Sequence, residues 1–335
     1  MSSTRWGLTL PLEDRGLQGL PETAAELSAA GYTDFWTSEV DYADGLTPLA
    51  AIAGSAPTAM LGTAILPVYT RGPAVLAISA ASMAKLAPGR FCLGIGASSP
   101  AVVEQWNALA FDRPYERTRD MVAFLREALA GGRVQRDYET FSVDGFRLRQ
   151  VPEVQPLILV AALRPQMLRL SATAGDGAIT NWLAASDVPM VCAAMQAGPD
   201  QASTELVARI MVCPSTDADA VRAQARRLIA AYLTVPAYAA FQRWLGRGPA
   251  LQTMTERWAS GDRAGALDAI DDEVVDALIV HGSPQECIEH IRRYVAAGVT
   301  VPVVHILPRG IDALAAARSL AAGGRDAGPA QAPVN

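Results

Sequence analysis

The sequence is poor in the residues that most often carry protein chemistry. Its four cysteines, Cys92, Cys192, Cys213 and Cys287, lie far apart and form no CxxC pair. That spacing excludes a disulfide framework and a zinc knuckle, and reads as reduced, buried thiols of a cytoplasmic protein. The three histidines, His281, His290 and His305, lack metal-ligand spacing, so no metal is expected. No apolar run reaches about 18 residues, which argues against a transmembrane helix and a membrane partner. The N-terminus reads as lacking a signal peptide, because Trp6 to Leu12 is too short and resembles a first strand. Basic residues are in deficit, 28 against 34 acidic, for a net charge of −6. No nucleic-acid partner is therefore expected. What remains is 335 residues, 50% hydrophobic and 19% charged. That is the composition of a soluble enzyme, long enough for one β/α barrel or two domains.

Apolar strand-like runs alternate with helical patterns. Strands are expected at Arg5–Leu10, Asp34–Thr37, Leu61–Leu66, Arg90–Leu93, Leu157–Ala161, Gly177–Ile179, Glu205–Val212 and Val301–Ile306. Helical patterns fall between them, opened by prolines at positions 48, 73, 165 and 284. Gly31 stops the first helix, and Ser283 with Glu286 forms a capping box for the last. Two segments break the rhythm. Tyr138–Arg149 alternates apolar and polar residues around Asp144-Gly145, a hairpin signal. Leu233–Asp276 has no strand signal and reads as a helical insertion carrying Tyr238, Phe241, Trp244 and Trp258. Eight strands and eight helices favour a single α/β fold, a (β/α)8 TIM barrel over residues 1–322. The insertion, about 233–276, precedes the last helix and strand, and the Ala/Gly/Pro-rich stretch 323–335 reads as a disordered tail.

In such a barrel function sits at the C-terminal ends of the strands. Glu13 follows the first strand; Ser38, Glu39, Asp41 and Tyr42 follow the second; Pro67, Tyr69 and Arg71 follow the third. Gly94, Gly96, Ser98 and Ser99 follow the fourth, Ala162 and Arg164 the fifth, Asn181 and Trp182 the sixth. This set has no catalytic histidine, no nucleophilic cysteine and no metal cage. Glycines, serines and one carboxylate suit chemistry done by a bound cofactor, which glycines let approach the backbone closely. Gly94-Ile95-Gly96 lacks the third glycine of a dinucleotide fingerprint, and taken alone it reads as the end of a strand and a tight turn. Glu39 taken alone fits a solvated loop carboxylate.

Four blocks add to this reading. They are Phe35-Trp36-Thr37-Ser38-Glu39-Val40; Gly62 to Pro67 with Tyr69 to Pro73; Arg90 to Ser99 with Glu104 and Trp106; and Ala161 to Pro165, then Gly175 to Gly177, then Asn181-Trp182. With Gly282-Ser283-Pro284 and Tyr294 to Gly298, they resemble the bacterial-luciferase-like flavin and deazaflavin oxidoreductases, in particular the coenzyme F420 branch, from about Arg5 to Leu307. The resemblance implies a homodimer and a deazaflavin, coenzyme F420, stacked on a bulge of the third strand. That bulge often holds a non-proline cis peptide, here at Ala64–Ile65. Gly94, Ile95, Gly96 and Ser98 would line the ring and tail, with Ala161, Ala162, Arg164, Asn181 and Trp182 around the side chain or phosphate. Some relatives place a histidine or aspartate after the second strand as proton donor; this chain has Ser38-Glu39 there. Glu39 is thus the expected donor, with Ser38 beside it and Glu13 next in line. Tyr42, Tyr69, Phe241 and Trp244 are the expected substrate contacts. The resulting expectation is an F420-dependent oxidoreductase moving a hydride to or from a small organic substrate. An FMN-dependent monooxygenase is the alternative, and a non-catalytic flavin or deazaflavin carrier is a second.

Overall fold

The computed structural model describes residues 5–196, 204–307 and 310–325. Short runs rich in apolar residues form β1 (Gly7–Thr9), β2 (Asp34–Thr37), β3 (Met60–Thr63), β4 (Leu66–Pro67) and β5 (Phe91–Gly96). A separate hairpin joins β6 (Val134–Asp137) and β7 (Ser142–Phe146). Then come β8 (Leu157–Ala161), β9 (Gly177–Asn181), β10 (Glu205–Cys213), β11 (Ile279–His281) and β12 (Val301–Ile306). Outside the hairpin every pairing is parallel. The order runs β1, β2, β3 with β4, β5, β8, β9, β10, β12, and β12 pairs back onto β1. The sheet is therefore a closed eight-stranded barrel, as expected, with β3 and β4 sharing one place in the ring. β11 is an extra strand against the far end of β10, at Met211–Cys213. Three residues running straight on from a helix are too short to show a strand period in sequence.

The helices are α1 (Leu20–Ala30), α2 (Thr47–Ile52), α3 (Pro73–Leu86), α4 (Pro114–Leu129), α5 (Pro165–Thr173), α6 (Val188–Met195) and α7 (Ala218–Leu233). The segment read as an insertion forms α8 (Pro236–Trp244), α9 (Gln252–Ala259), α10 (Arg263–Asp268) and α11 (Asp272–Leu278). α12 (Pro284–Ala297), α13 (Ala313–Leu320) and α14 (Ala322–Arg325) follow. α12 opens with the expected box: Ser283 N donates to Glu286 Oε2 at 2.7 Å and Glu286 N to Ser283 Oγ at 3.3 Å. No helix among the described residues is long and apolar enough to cross a membrane. The cysteines are free; Cys92, Cys213 and Cys287 are buried and Cys192 is half-buried.

Strand alternation sorts side chains into two cores. Trp36, Cys92, Leu159, Ile179, Val207 and Val303 pack together inside the barrel. Their neighbours, such as Phe35, Leu61, Leu93, Val160 and Val304, face the helices. The third strand carries one residue more than its partner: Gly62 faces Cys92, yet Leu66 faces Ile95. The extra residue falls at the expected bulge, and the Ala64–Ile65 peptide there is cis. At the N-terminal end of the barrel, fully buried Asp34 accepts from Arg5 Nε at 2.9 Å and from Thr33 Oγ1 at 2.6 Å. Arg5 Nη1 also reaches Glu205 Oε1 at 2.9 Å.

Two local expectations are corrected. The hairpin turns at positions 138–141, not at Asp144-Gly145, which lies within β7. Tyr138 N bonds Phe141 O at 2.8 Å and the two rings stack at 4.8 Å over Phe124, so aromatic packing sets the turn. Gly145, at φ 72°, lies in β7 opposite the register irregularity between Val134 and Arg136. The start of the expected tail is ordered: Gly323 lies in α14 so close to Trp6 that a Cβ would meet the indole at 2.2 Å. Residues 326–335 lie outside the described part.

Replacing Arg5 with Met strips a buried carboxylate of its counter-charge. Urea unfolding should show a loss of about 3–5 kcal/mol. An unchanged midpoint would mean that Thr33 alone satisfies Asp34.

Candidate active site

The inward positions near the C-terminal ends of the strands are Thr9, Ser38, Ala64, Gly96, Ala161, Asn181, Arg209 and His305. They form the mouth, where βα barrels carry function. One half is small: a Cβ on Gly96 would lie 2.6 Å from Ala161 Cβ and 3.5 Å from Ile65 Cγ1, so no side chain stands between them. The other half is polar. Asn181 and Arg209 are register partners on β9 and β10, and Asn181 Nδ2 reaches Tyr238 Oη at 3.3 Å. Arg209 Nη2 lies 2.9 and 3.0 Å from the two ring nitrogens of His305. Burial, and then the Arg209 charge, push His305 well below the usual imidazole range, so it is neutral at pH 7. Burial likewise lowers Arg209, which starts too high to lose its charge.

The structure brings Ser38, Ala64, Gly96, Ala161 and Asn181 to this mouth, with Ile65 against Gly96 and Glu13 at the rim. Glu13 is 53% exposed, and its Oε1 lies 3.8 Å from His305 Nε2. Ser98, at φ 65°, is half-buried just past β5. Other expected residues sit elsewhere. Gly94 is one step deeper, where a Cβ would strike Thr63 O at 1.8 Å and Ile179 Cδ1 at 2.4 Å; its glycine serves packing. The side chains of Ile95 and Ala162 face the helix layer. Trp182 is buried against Tyr232 at 5.0 Å, under the insertion. Phe241, fully buried, belongs to the main core and stacks on half-buried Trp244 at 6.0 Å. Helical spacing put Phe241 on a shared face but could not say that the face turns inward. Tyr69 is held by Asp112 O at 2.5 Å and by Phe111, while Tyr42 is 51% exposed.

Glu39 is tied by both oxygens. Arg71 donates to Oε1 at 3.2 Å and to Oε2 at 2.5 Å, and Gly45 N donates to Oε2 at 3.0 Å. The carboxylate braces the loop after β2. Arg164 is exposed at the start of α5, and its side chain has no partner among the described residues. Sequence reasoning missed Arg209 and His305. The available signal was a polar residue at an inward position of an otherwise apolar strand: Leu-Val-Ala-Arg-Ile-Met-Val for Arg209 and Val-Pro-Val-Val-His-Ile for His305.

With this geometry in place, known proteins can be set beside it. The chain is 28% identical over 298 residues to the 5,10-methylenetetrahydromethanopterin reductase of Archaeoglobus fulgidus, covering 86% of this chain and 88% of that one. It is 28% identical over 258 residues to the F420-dependent glucose-6-phosphate dehydrogenase of Rhodococcus erythropolis, covering 73% and 72%. Its fold matches that of the coenzyme F420-dependent tetrahydromethanopterin reductase of Methanopyrus kandleri with a TM-score of 0.76 at 20% identity, over 96% of this chain and 98% of the other. Residues 3–301 match the luciferase-like monooxygenase family, and the chain belongs to that family.

Proposed function

We propose that this protein is a coenzyme F420-dependent oxidoreductase that moves a hydride between the deazaflavin and a small organic substrate at the barrel mouth. The observation that carries the reading is the uneven mouth: Ala64, Gly96 and Ala161 make one side small and uncharged, and Asn181, Arg209 and His305 face it. Two buried polar atoms without partners among the described residues, Thr9 Oγ1 and Arg209 Nε, fit a site completed by a bound group. F420 dependence of the Rhodococcus relative supports the choice of cofactor. When bound, F420 supplies a two-electron hydride carrier.

The protein's own residues then orient, exclude water and handle a proton. The broken third strand and Gly96 offer a surface for a flat ring. Arg164, exposed and without a partner among the described residues, is available to an anionic tail. Removal of a hydride from the carbon beside a hydroxyl releases the hydroxyl proton. Glu39 is committed to Arg71, so the proton-transfer role expected of Glu39 falls to His305, which is neutral at the mouth and can accept that proton. The expected homodimer is part of the proposal. α3 exposes Val75, Ile78 and Leu86 at 54%, 50% and 56% along one helix face, which supports an apolar contact between copies.

Titration followed by absorbance and fluorescence should show F420 binding at least about tenfold tighter than FMN; tighter FMN binding would overturn the cofactor assignment. In reduction of F420 by hydroxyl-bearing donors, His305→Asn should lower turnover about 10²-fold with cofactor Kd within about threefold. Glu39→Gln should change turnover less than about threefold and lower Tm. The reverse ranking would return the proton role to Glu39.

The neutral state of His305 also sets a pH dependence. Below about pH 6.5 the unfolded histidine binds a proton that the folded one refuses, so stability falls as pH drops through that range. Wild type should lose more Tm between pH 7 and pH 5 than His305→Asn; parallel profiles would show that His305 titrates freely.

A further inference from the structure

No carboxylate among the described residues forms an ion pair with Arg209; the Glu13 charge acts on it only from the rim. The Arg209 Nε is fully buried and has no hydrogen-bond partner among the described residues. Its Nη2 meets His305, which is neutral. Glu39 belongs to Arg71. Other enclosed arginines are treated differently. Arg5 is held by Asp34 and Glu205, and Arg247 by Asp187 with Nη1 at 3.0 Å. Arg90 reaches the carbonyls of Ala53, Ala56 and Ala59. A guanidinium folded away from water without an anion costs stability, and a methionine at this inward position would fill similar space without the charge.

We propose that Arg209 is the receptor for a carboxylate of the organic substrate, so that the protein acts on carboxylate-bearing molecules. This rests on the hydride-transfer reading of the same mouth. A planar guanidinium matches a carboxylate in charge and in its two parallel donors. Asn181, the register partner of Arg209, adds an amide, and the Tyr238 hydroxyl lies 3.3 Å from that amide, so polar groups flank the fork. The opposite wall of Ala64, Gly96 and Ala161 carries no charge to compete. One end of the substrate is thereby fixed on β10 while the remainder faces the small-residue half of the mouth.

The test is thermal unfolding of the purified full-length protein with acetate, propionate or benzoate, each against its neutral amide at matched ionic strength, beside F420 titration. At about 10 mM the carboxylates should raise the wild-type Tm by about 2 °C or more, and the amides should not. Arg209→Met should unfold at or above the wild-type temperature without anions, lose the carboxylate response, and keep F420 affinity within about threefold. Arg209→Lys should keep part of the response. Equal responses to carboxylates and amides, or a response surviving in Arg209→Met, would overturn the assignment. So would a loss of F420 affinity of about tenfold or more in Arg209→Met, because the guanidinium would then serve the cofactor's own anionic groups. If wild type shows the Arg209-dependent carboxylate response but binds no F420, the hydride-transfer reading falls and the carboxylate site stands.

Discussion

A closed ring of eight strands has an interior that all inward side chains must share, and that limited volume governs the rest of the structure. Trp36 takes the middle of the barrel. Its indole lies where a Cβ on Gly62 would stand, 2.4 Å from the ring. Ile179 crosses to Gly94 in the same way, and the Thr63 hydroxyl bonds both the N–H and the C=O of Gly94, at 2.9 and 2.8 Å. Large side chains at mid-depth are thus matched to glycines on facing or neighbouring strands. Above them the strands from β2 to β8 end in Ser38, Ala64, Gly96 and Ala161, so small residues line that side of the mouth.

Charge is managed differently at the two ends. At the N-terminal end, Arg5, Asp34 and Glu205 neutralise one another, and Thr33 takes a further bond to Asp34. At the C-terminal end, Arg209 faces a neutral imidazole. The first arrangement closes the bottom of the barrel. The second leaves a positive group whose Nε is enclosed and has no partner among the described residues.

The inserted helices act as part of the wall. Gln242 Nε2 donates to Trp182 O at 2.5 Å, Arg247 pairs with Asp187, and Tyr232 packs beside both Trp182 and Tyr238. These contacts anchor α8 to the segment after β9. Trp182, at φ 55°, turns its ring under α7 and α8 instead of into the mouth. The aromatic character of the segment therefore belongs mostly to its seat on the barrel, and Tyr238 is the residue that reaches Asn181.

By itself, the sequence determined the features that depend on local period and local chemistry. The eight barrel strands and the capping box at Ser283 were legible, because alternation and caps are written within a few residues of one another; the interruption at Ala64–Ile65 was implied by the family resemblance, while local pattern read Leu61–Leu66 as one strand. Only the tertiary structure decided the candidate site. Asn181, Arg209, Tyr238 and His305 come from four separate elements, and the lone charge among apolar strand residues becomes informative once closure of the ring turns it inward. Glu39 meets Arg71 across 32 residues of chain, which converts an apparent acid into a brace. The depth of Gly94, the burial of Phe241 and the turning away of Trp182 were hidden for the same reason. Strand register and ring closure decide which side chains share space and which charges find partners, and neither is encoded in the spacing of a single segment.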